Sequence, residues 1–132
     1  MNEEKASVAV LVNGEGKVLI ILRSDRVASF RGFWCFPGGA VEAGEALDSA
    51  AARECKEETN LTVKAKDLIF IGEKFARKVN VTYFVTDKYS GSIKLNPEST
   101  DYKWIEPEDL DDVMMIPLPQ DIILSIINYC RN

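Results

Sequence analysis

The chain contains no histidine among its 132 residues. Imidazole is therefore excluded as a general acid or base, and a zinc site would have to rest on thiols. Thiols are scarce as well. Cys35, Cys55 and Cys130 form no CxxC pair and leave one thiol over under any disulfide scheme. Reduced cysteines and a cytoplasmic location are the expectation. No apolar run approaches the roughly 20 residues that would span a bilayer, so no membrane partner is expected. The opening Met1-Asn2-Glu3-Glu4-Lys5-Ala6-Ser7 lacks the basic region and apolar stretch that direct secretion. A formal net charge of −5 argues against a nucleic-acid polymer as partner, because phosphate backbones are held by an excess of Lys and Arg. Repeats and low-complexity linkers are also absent, and residues 1–132 are expected to form a single domain large enough to bury a core.

What the chain does have is acid, concentrated in one segment. Residues 39–61 read GAVEAGEALDSAAARECKEETNL. On a helix turning about 100° per residue, Glu54, Glu57 and Glu58 fall within an arc of about 100°. The apolar arc of the same helix carries Leu47, Ala50, Ala51, Ala52 and Cys55. Glu54 and Glu58 project into that arc and Glu57 sits at its edge, while Asp48, Ser49, Arg53 and Lys56 take the opposite side or its margin. Most Glu-rich helices simply present a solvated face. Here the acids lie where the helix must pack, so they repel one another and raise each other's pKa unless a cation compensates. A divalent metal resolves the conflict, and all-oxygen ligation favours Mg²⁺, with Mn²⁺ as a substitute.

The segment resembles the Nudix box of the Nudix hydrolases, G-x5-E-x7-R-E-U-x-E-E-x-G-U, where U is aliphatic. Gly39, Glu45, Arg53, Glu54, Glu57 and Glu58 match, and Leu61 fills the last aliphatic position. Cys55 replaces the usual aliphatic residue and packs as a small hydrophobe. Asn60 replaces the usual glycine, and Asn is the next most tolerant residue of a left-handed helix ending. The resemblance implies an enzyme of the Nudix α/β/α-sandwich fold, with a mixed β-sheet between helices. It implies metal-dependent hydrolysis of a nucleoside diphosphate linked to another group. Glu54, Glu57 and Glu58 would be metal ligands, joined by the backbone carbonyl of Gly38. Arg53 would orient a catalytic carboxylate, and Glu45 would support the cluster from the helix entrance. The general base is either a carboxylate of the box or Glu98, which follows Asn96-Pro97, with Asp101 a poorer substitute.

Trp34-Cys35-Phe36-Pro37-Gly38-Gly39 resembles the run ahead of the box in MutT-like nucleoside triphosphate hydrolases. That implies cleavage of a (d)NTP to the monophosphate and pyrophosphate. ADP-ribose, nucleotide sugars and dinucleoside polyphosphates remain alternative substrates, and a non-catalytic nucleotide-binding module is the alternative of another class. Arg23 and Phe36 are expected to contact substrate. Gln120 and Asp121, near the start of the terminal helix, are expected to read a base edge. The partner is then a small nucleotide, and the protein a monomer or homodimer.

Local pattern supplies the frame. Residues 6–12 and 18–22 read as strands joined in a hairpin by Asn13-Gly14-Glu15-Gly16. Further strands are predicted over 34–36, 61–65, 68–75, 79–86 and 102–105. Helices are predicted over 46–59 and 119–129, with a short helical turn at 107–110.

Overall fold

A computed structural model describes residues 4–132. Alternation along the first strand, β1 (Glu4–Leu11), organises the whole molecule. Val8 and Val10 point to one face and Ala9 and Leu11 to the other, so apolar layers form on both sides of the sheet. The remaining strands are β2 (Val18–Arg23), β3 (Trp34–Cys35), β4 (Gly38–Ala40), β5 (Ile69–Ala76), β6 (Val79–Thr86) and β7 (Ser99–Ile105). They form a four-stranded mixed sheet, ordered β4-β1-β6-β5, and a three-stranded antiparallel sheet, β3-β2-β7. β1 runs parallel to β6 over its full length, from Glu4 opposite Val79 to Leu11 opposite Thr86, and antiparallel to β4.

Two helices cover the two faces. Helix α1 (Leu47–Thr59) lays Ala51 and Cys55 against Ala9, Leu11, Leu19 and Phe84. Helix α2 (Gln120–Arg131) lays Ile122 and Ile126 against Val10, Val18, Ile20 and Val85. Each of those fully buried isoleucines contributes about 1.5–3 kcal/mol of transfer free energy. The result is the expected α/β/α sandwich. Helix α1 ends as its sequence predicts: Asn60 adopts φ 68° and donates its N–H to the Lys56 carbonyl at 2.9 Å.

Two local expectations are corrected. The turn after β1 does close, with Asn13 N–H donating to Lys17 O at 2.9 Å and the Asn13 side chain accepting from Glu15 and Lys17. Pairing then stops at one bridge, Val12 to Val18, because β4 and β6 occupy both edges of β1 while β3 and β7 occupy both edges of β2. The predicted hairpin is thus a corner joining two sheets. Residues 61–65 form no strand: Thr62 makes one bridge to Ser90, and Ala65–Asp67 is a 3-10 turn. Leu61 and Val63 alternate because both are buried against the α1 side.

Candidate active site

The site begins with two glycines. β4 pairs with β1 in the register Val8–Gly38, Ser7–Gly39 and Ala6–Ala40. In an antiparallel ladder alternate residues turn both backbone groups to the partner strand, and those between turn both away. Pro37 and Val41 face β1, through Ala9 N–H to Pro37 O and Val41 N–H to Lys5 O, both at 2.9 Å. Gly38 and Ala40 are therefore free to address α1. Gly38 donates its N–H to Glu58 Oε1 at 2.8 Å, and the Ala40 carbonyl accepts from Arg53 Nη2 at 2.9 Å. A side chain at Gly38 would meet Ser7 O at 2.5 Å, and one at Gly39 would meet the Glu54 carboxylate at 2.6 Å. The glycines let the acids touch the strand.

Arg53 ties the acids together. It sits at the margin of the helix face yet folds back along it. Its Nε and Nη2 form a fork on Glu45 at 2.8 and 3.0 Å, and Nη1 reaches Glu54 at 3.0 Å and Glu57 at 3.1 Å. The fork holds the Glu45 carboxyl down at about 2, and the same bonds push the guanidinium pKa further up. Glu45 also accepts the Glu42 N–H at 3.0 Å, which fixes the entrance to α1.

Glu58 is the buried member, only 8% exposed. Burial pushes its pKa up to about 8, the nearby charges of Glu54 and Glu98 add to the rise, and the Gly38 N–H and Arg23 oppose it. Glu54 is also raised, chiefly by burial, with Arg53 opposing and Glu57 and Glu98 adding. The Glu98 loop adjoins the box. It is pinned by Ser24 N–H to Glu98 O at 2.8 Å, Ser24 Oγ to Pro97 O at 2.9 Å and Asn96 N–H to Glu58 O at 3.4 Å. Glu57 keeps 52% of its side chain in solvent and engages Arg53. Among the described residues no three acidic or thiol side chains already form a cation cage. The donor set nonetheless suits a hard cation: clustered carboxylates, two of them raised chiefly by burial and further by neighbouring carboxylate charge.

Beside this cluster lies a cavity of about 180 Å³, walled by Arg23, Cys35, Phe36, Gly38, Lys74 and Tyr83, with Met115, Ile116 and Leu118 closing one side. Arg23 stands at the joint between cavity and acids, its guanidinium held by Ser29 O at 2.9 and 3.0 Å. Phe36 lines the cavity while remaining 5% exposed, so it also serves the core. Gln120 and Asp121 do not line it. They occupy the outer side of the first turn of α2, whose inner side is Ile122 and Ile123, and the Gln120 amide donates to Asp111 Oδ2 at 3.5 Å. The neighbouring Met115 and Leu118 supply the wall instead. Lys74, which donates to Pro117 O at 2.7 Å, also lines the cavity; of the basic residues on either side of the acidic segment, sequence reasoning had preferred Arg23.

This combination of sandwich fold, glycine strand and carboxylate helix is that of a MutT-like hydrolase. The NUDIX domain family matches residues 2–123. The nucleoside triphosphatase NudI of Escherichia coli O139:H28 is 31% identical over 120 residues, covering 81% of this chain and 85% of that protein. The MutT protein from Methanosarcina mazei Go1 superposes with a TM-score of 0.77 at 26% identity, covering 97% of this chain and 93% of that one. An ADP-ribose pyrophosphatase from Streptococcus suis 89-1591 shares the fold, with a TM-score of 0.75 at 16% identity over 99% of this chain and 94% of that one. The chain belongs to the Nudix family and is a Nudix hydrolase.

Proposed function

We propose that the protein is a Mg²⁺-dependent pyrophosphohydrolase that cleaves a (d)NTP to the (d)NMP and pyrophosphate. The observation that carries this reading is the meeting of an apolar cavity with the carboxylate cluster at Arg23 and Gly38. Pockets that enclose a whole drug-sized ligand measure about 300–1,000 Å³. A cavity of about 180 Å³ suits one ring system and leaves the sugar and phosphates outside it, towards the acids. The nucleoside triphosphatase relatives support the same substrate class.

Glu54, Glu57 and Glu58 are assigned as metal ligands, with the Gly38 carbonyl, which alternation in β4 turns away from β1. Bound Mg²⁺, or Mn²⁺ in its place, screens phosphate charge and acidifies water. The protein's own groups do the rest. Arg23 places a fixed positive charge where the phosphates leave the cavity. Glu98, exposed on a pinned loop adjoining the box, accepts the proton of the attacking water. Arg53 holds Glu54 and Glu57 in register with Glu45. Phe36 and the Met115–Leu118 wall exclude water from the base. The substrates are small cytoplasmic nucleotides, and a monomer or homodimer suffices.

The test is product analysis from a panel of (d)NTPs, an oxidised (d)NTP, ADP-ribose, a nucleotide sugar and a dinucleoside tetraphosphate. Wild type and Glu57→Gln would be compared with and without Mg²⁺. Metal-dependent release of monophosphate and pyrophosphate from a triphosphate, lost by orders of magnitude in Glu57→Gln, is the expected result. Cleavage confined to ADP-ribose or a dinucleotide would overturn the substrate, and no cleavage of any member by the folded protein would overturn the enzyme.

A further inference from the structure

Ser7 is fully buried, and its hydroxyl has no hydrogen-bond partner among the described residues. Buried polar groups are almost always paired, so an orphan hydroxyl inside a sheet requires a reason. Its place in the register supplies one. Ser7 shares the parity of Ala9 and Leu11, the residues packed against α1. Directly across the strand pair stands Gly39, and residues so opposed carry their Cβ positions on one face about 4.5–5.5 Å apart. The Glu54 carboxylate fills the space of the missing Gly39 side chain, 2.6 Å from where its Cβ would lie. The unpaired hydroxyl and the carboxylate are thus neighbours beneath α1, where Ala50, one turn before Glu54, is also fully buried.

We propose that Ser7 is a positioning residue for the reaction, its hydroxyl being the buried donor that holds the Glu54 carboxylate when that group turns from Arg53 to a divalent cation. The inference rests on the assignment of Glu54 as a metal ligand. In the structure as it stands Glu54 accepts from Arg53, and the Ser7 hydroxyl is left over. A carboxylate has lone pairs for both a cation and a donor, and a donor on the strand side fixes which oxygen faces outward. The serine is then a group that weakens the resting protein and is used only when the site is occupied.

The experiment compares wild type, Ser7→Ala, Glu54→Gln and the double variant by three readouts. These are metal-free melting temperature, Mn²⁺ binding followed by electron paramagnetic resonance, and kcat and KM for a nucleoside triphosphate with Mg²⁺. Ser7→Ala is expected to melt at or above wild type without metal, because an unpaired hydroxyl is removed. It should bind Mn²⁺ about tenfold more weakly and lose about tenfold in kcat with KM unchanged, the scale of one hydrogen bond to a charged group. In the Glu54→Gln background the Ser7 substitution should add nothing. Wild-type Mn²⁺ binding and turnover in Ser7→Ala, or an equal loss in both backgrounds, would overturn the inference. A lowered metal-free melting temperature with unchanged Mn²⁺ binding would also overturn it, by making the serine merely structural. Unaltered Mn²⁺ binding in Glu54→Gln would instead refute the ligand assignment beneath it, and so marks that failure apart.

Discussion

Without metal, the stability of this enzyme should fall as pH rises through neutrality, and Glu58 should be the cause. Burial beneath Gly38 displaces the carboxyl from 4.5 to about 8 in the folded protein. Between those values the folded chain keeps a proton at Glu58 that the unfolded chain has lost, so stability falls by about 1.4 kcal/mol for each rise of one pH unit. The whole interval corresponds to about 5 kcal/mol, fully present below pH 4.5 and lost as pH passes about 8. From pH 6.0 to 7.5 the expected loss is about 2 kcal/mol, or about 6–10 °C in melting temperature for a domain of this size. Glu54, also raised chiefly by burial, adds to the fall in the same direction wherever it titrates. Glu45, held near 2, stays ionised, while the Cys35 and Cys55 thiols, pushed up by burial to about 12 and about 11, stay neutral. The assay is differential scanning calorimetry in a chelator at four pH values, on wild type and Glu58→Gln. Gln keeps an acceptor for the Gly38 N–H but cannot ionise, so its melting temperature should fall much less across the window. Saturating Mg²⁺ should remove the slope from wild type, because the cation compensates the ionised form. Parallel slopes in the two proteins, or a melting temperature that rises with pH in wild type, would refute the reasoning.

Three further outcomes follow from the geometry of the site. Gly39→Ala places a methyl group 2.6 Å from the Glu54 carboxylate in an extended strand that tolerates Ala, so circular dichroism should be unchanged while kcat falls at least about tenfold. Retained activity would show that Glu54 need not occupy that cradle. Arg53→Lys replaces a fork that binds Glu45, Glu54, Glu57 and the Ala40 carbonyl with one point charge, and kcat should drop about 100-fold. Steady-state kinetics showing less than a twofold change would remove Arg53 from the orienting role. Glu98→Gln should lower kcat by about 10²–10⁴ if this carboxylate takes the proton, and an unchanged rate would hand that role to Glu54.

The helix carrying the acids was legible because its signals are local. Carboxylate spacing, the small residues Ala50 and Ala51, and the cap at Asn60 all lie within one element, and Asn60 does adopt the left-handed conformation. The corner at Asn13–Lys17 was legible only as a turn. Which strands pair beyond it depends on the edges of β1 and β2, and those edges are filled by β6 and β7, from far along the chain. The cavity was half legible for the same reason. The run from Trp34 to Gly39 and the start of the terminal helix were singled out, but the choice of Gln120 and Asp121 followed side-chain chemistry alone. The rotation of α2 that buries Ile122, Ile123 and Ile126 turns those two residues outward. Ser7 carried no local signal at all, since a serine in a strand is ordinary until both neighbouring strands are known.

The site depends on β1 and β4 being used on both faces. Ala6 and Val8 wall the cavity on the α2 side, while Ser7 and its partner Gly39 lie beneath Glu54 on the α1 side. Gly38 belongs to both: it lines the cavity and gives its N–H to Glu58. One short strand pair therefore fixes the distance between the cavity and the acids, without a flexible linker between them. A change at residues 38 or 39 must disturb the cavity and the acids together, whereas a change at Met115 or Leu118 can reshape the cavity and leave the acids in place. Variation in substrate choice among enzymes of this construction should accordingly concentrate in the segment before α2, and the glycine strand should tolerate almost none.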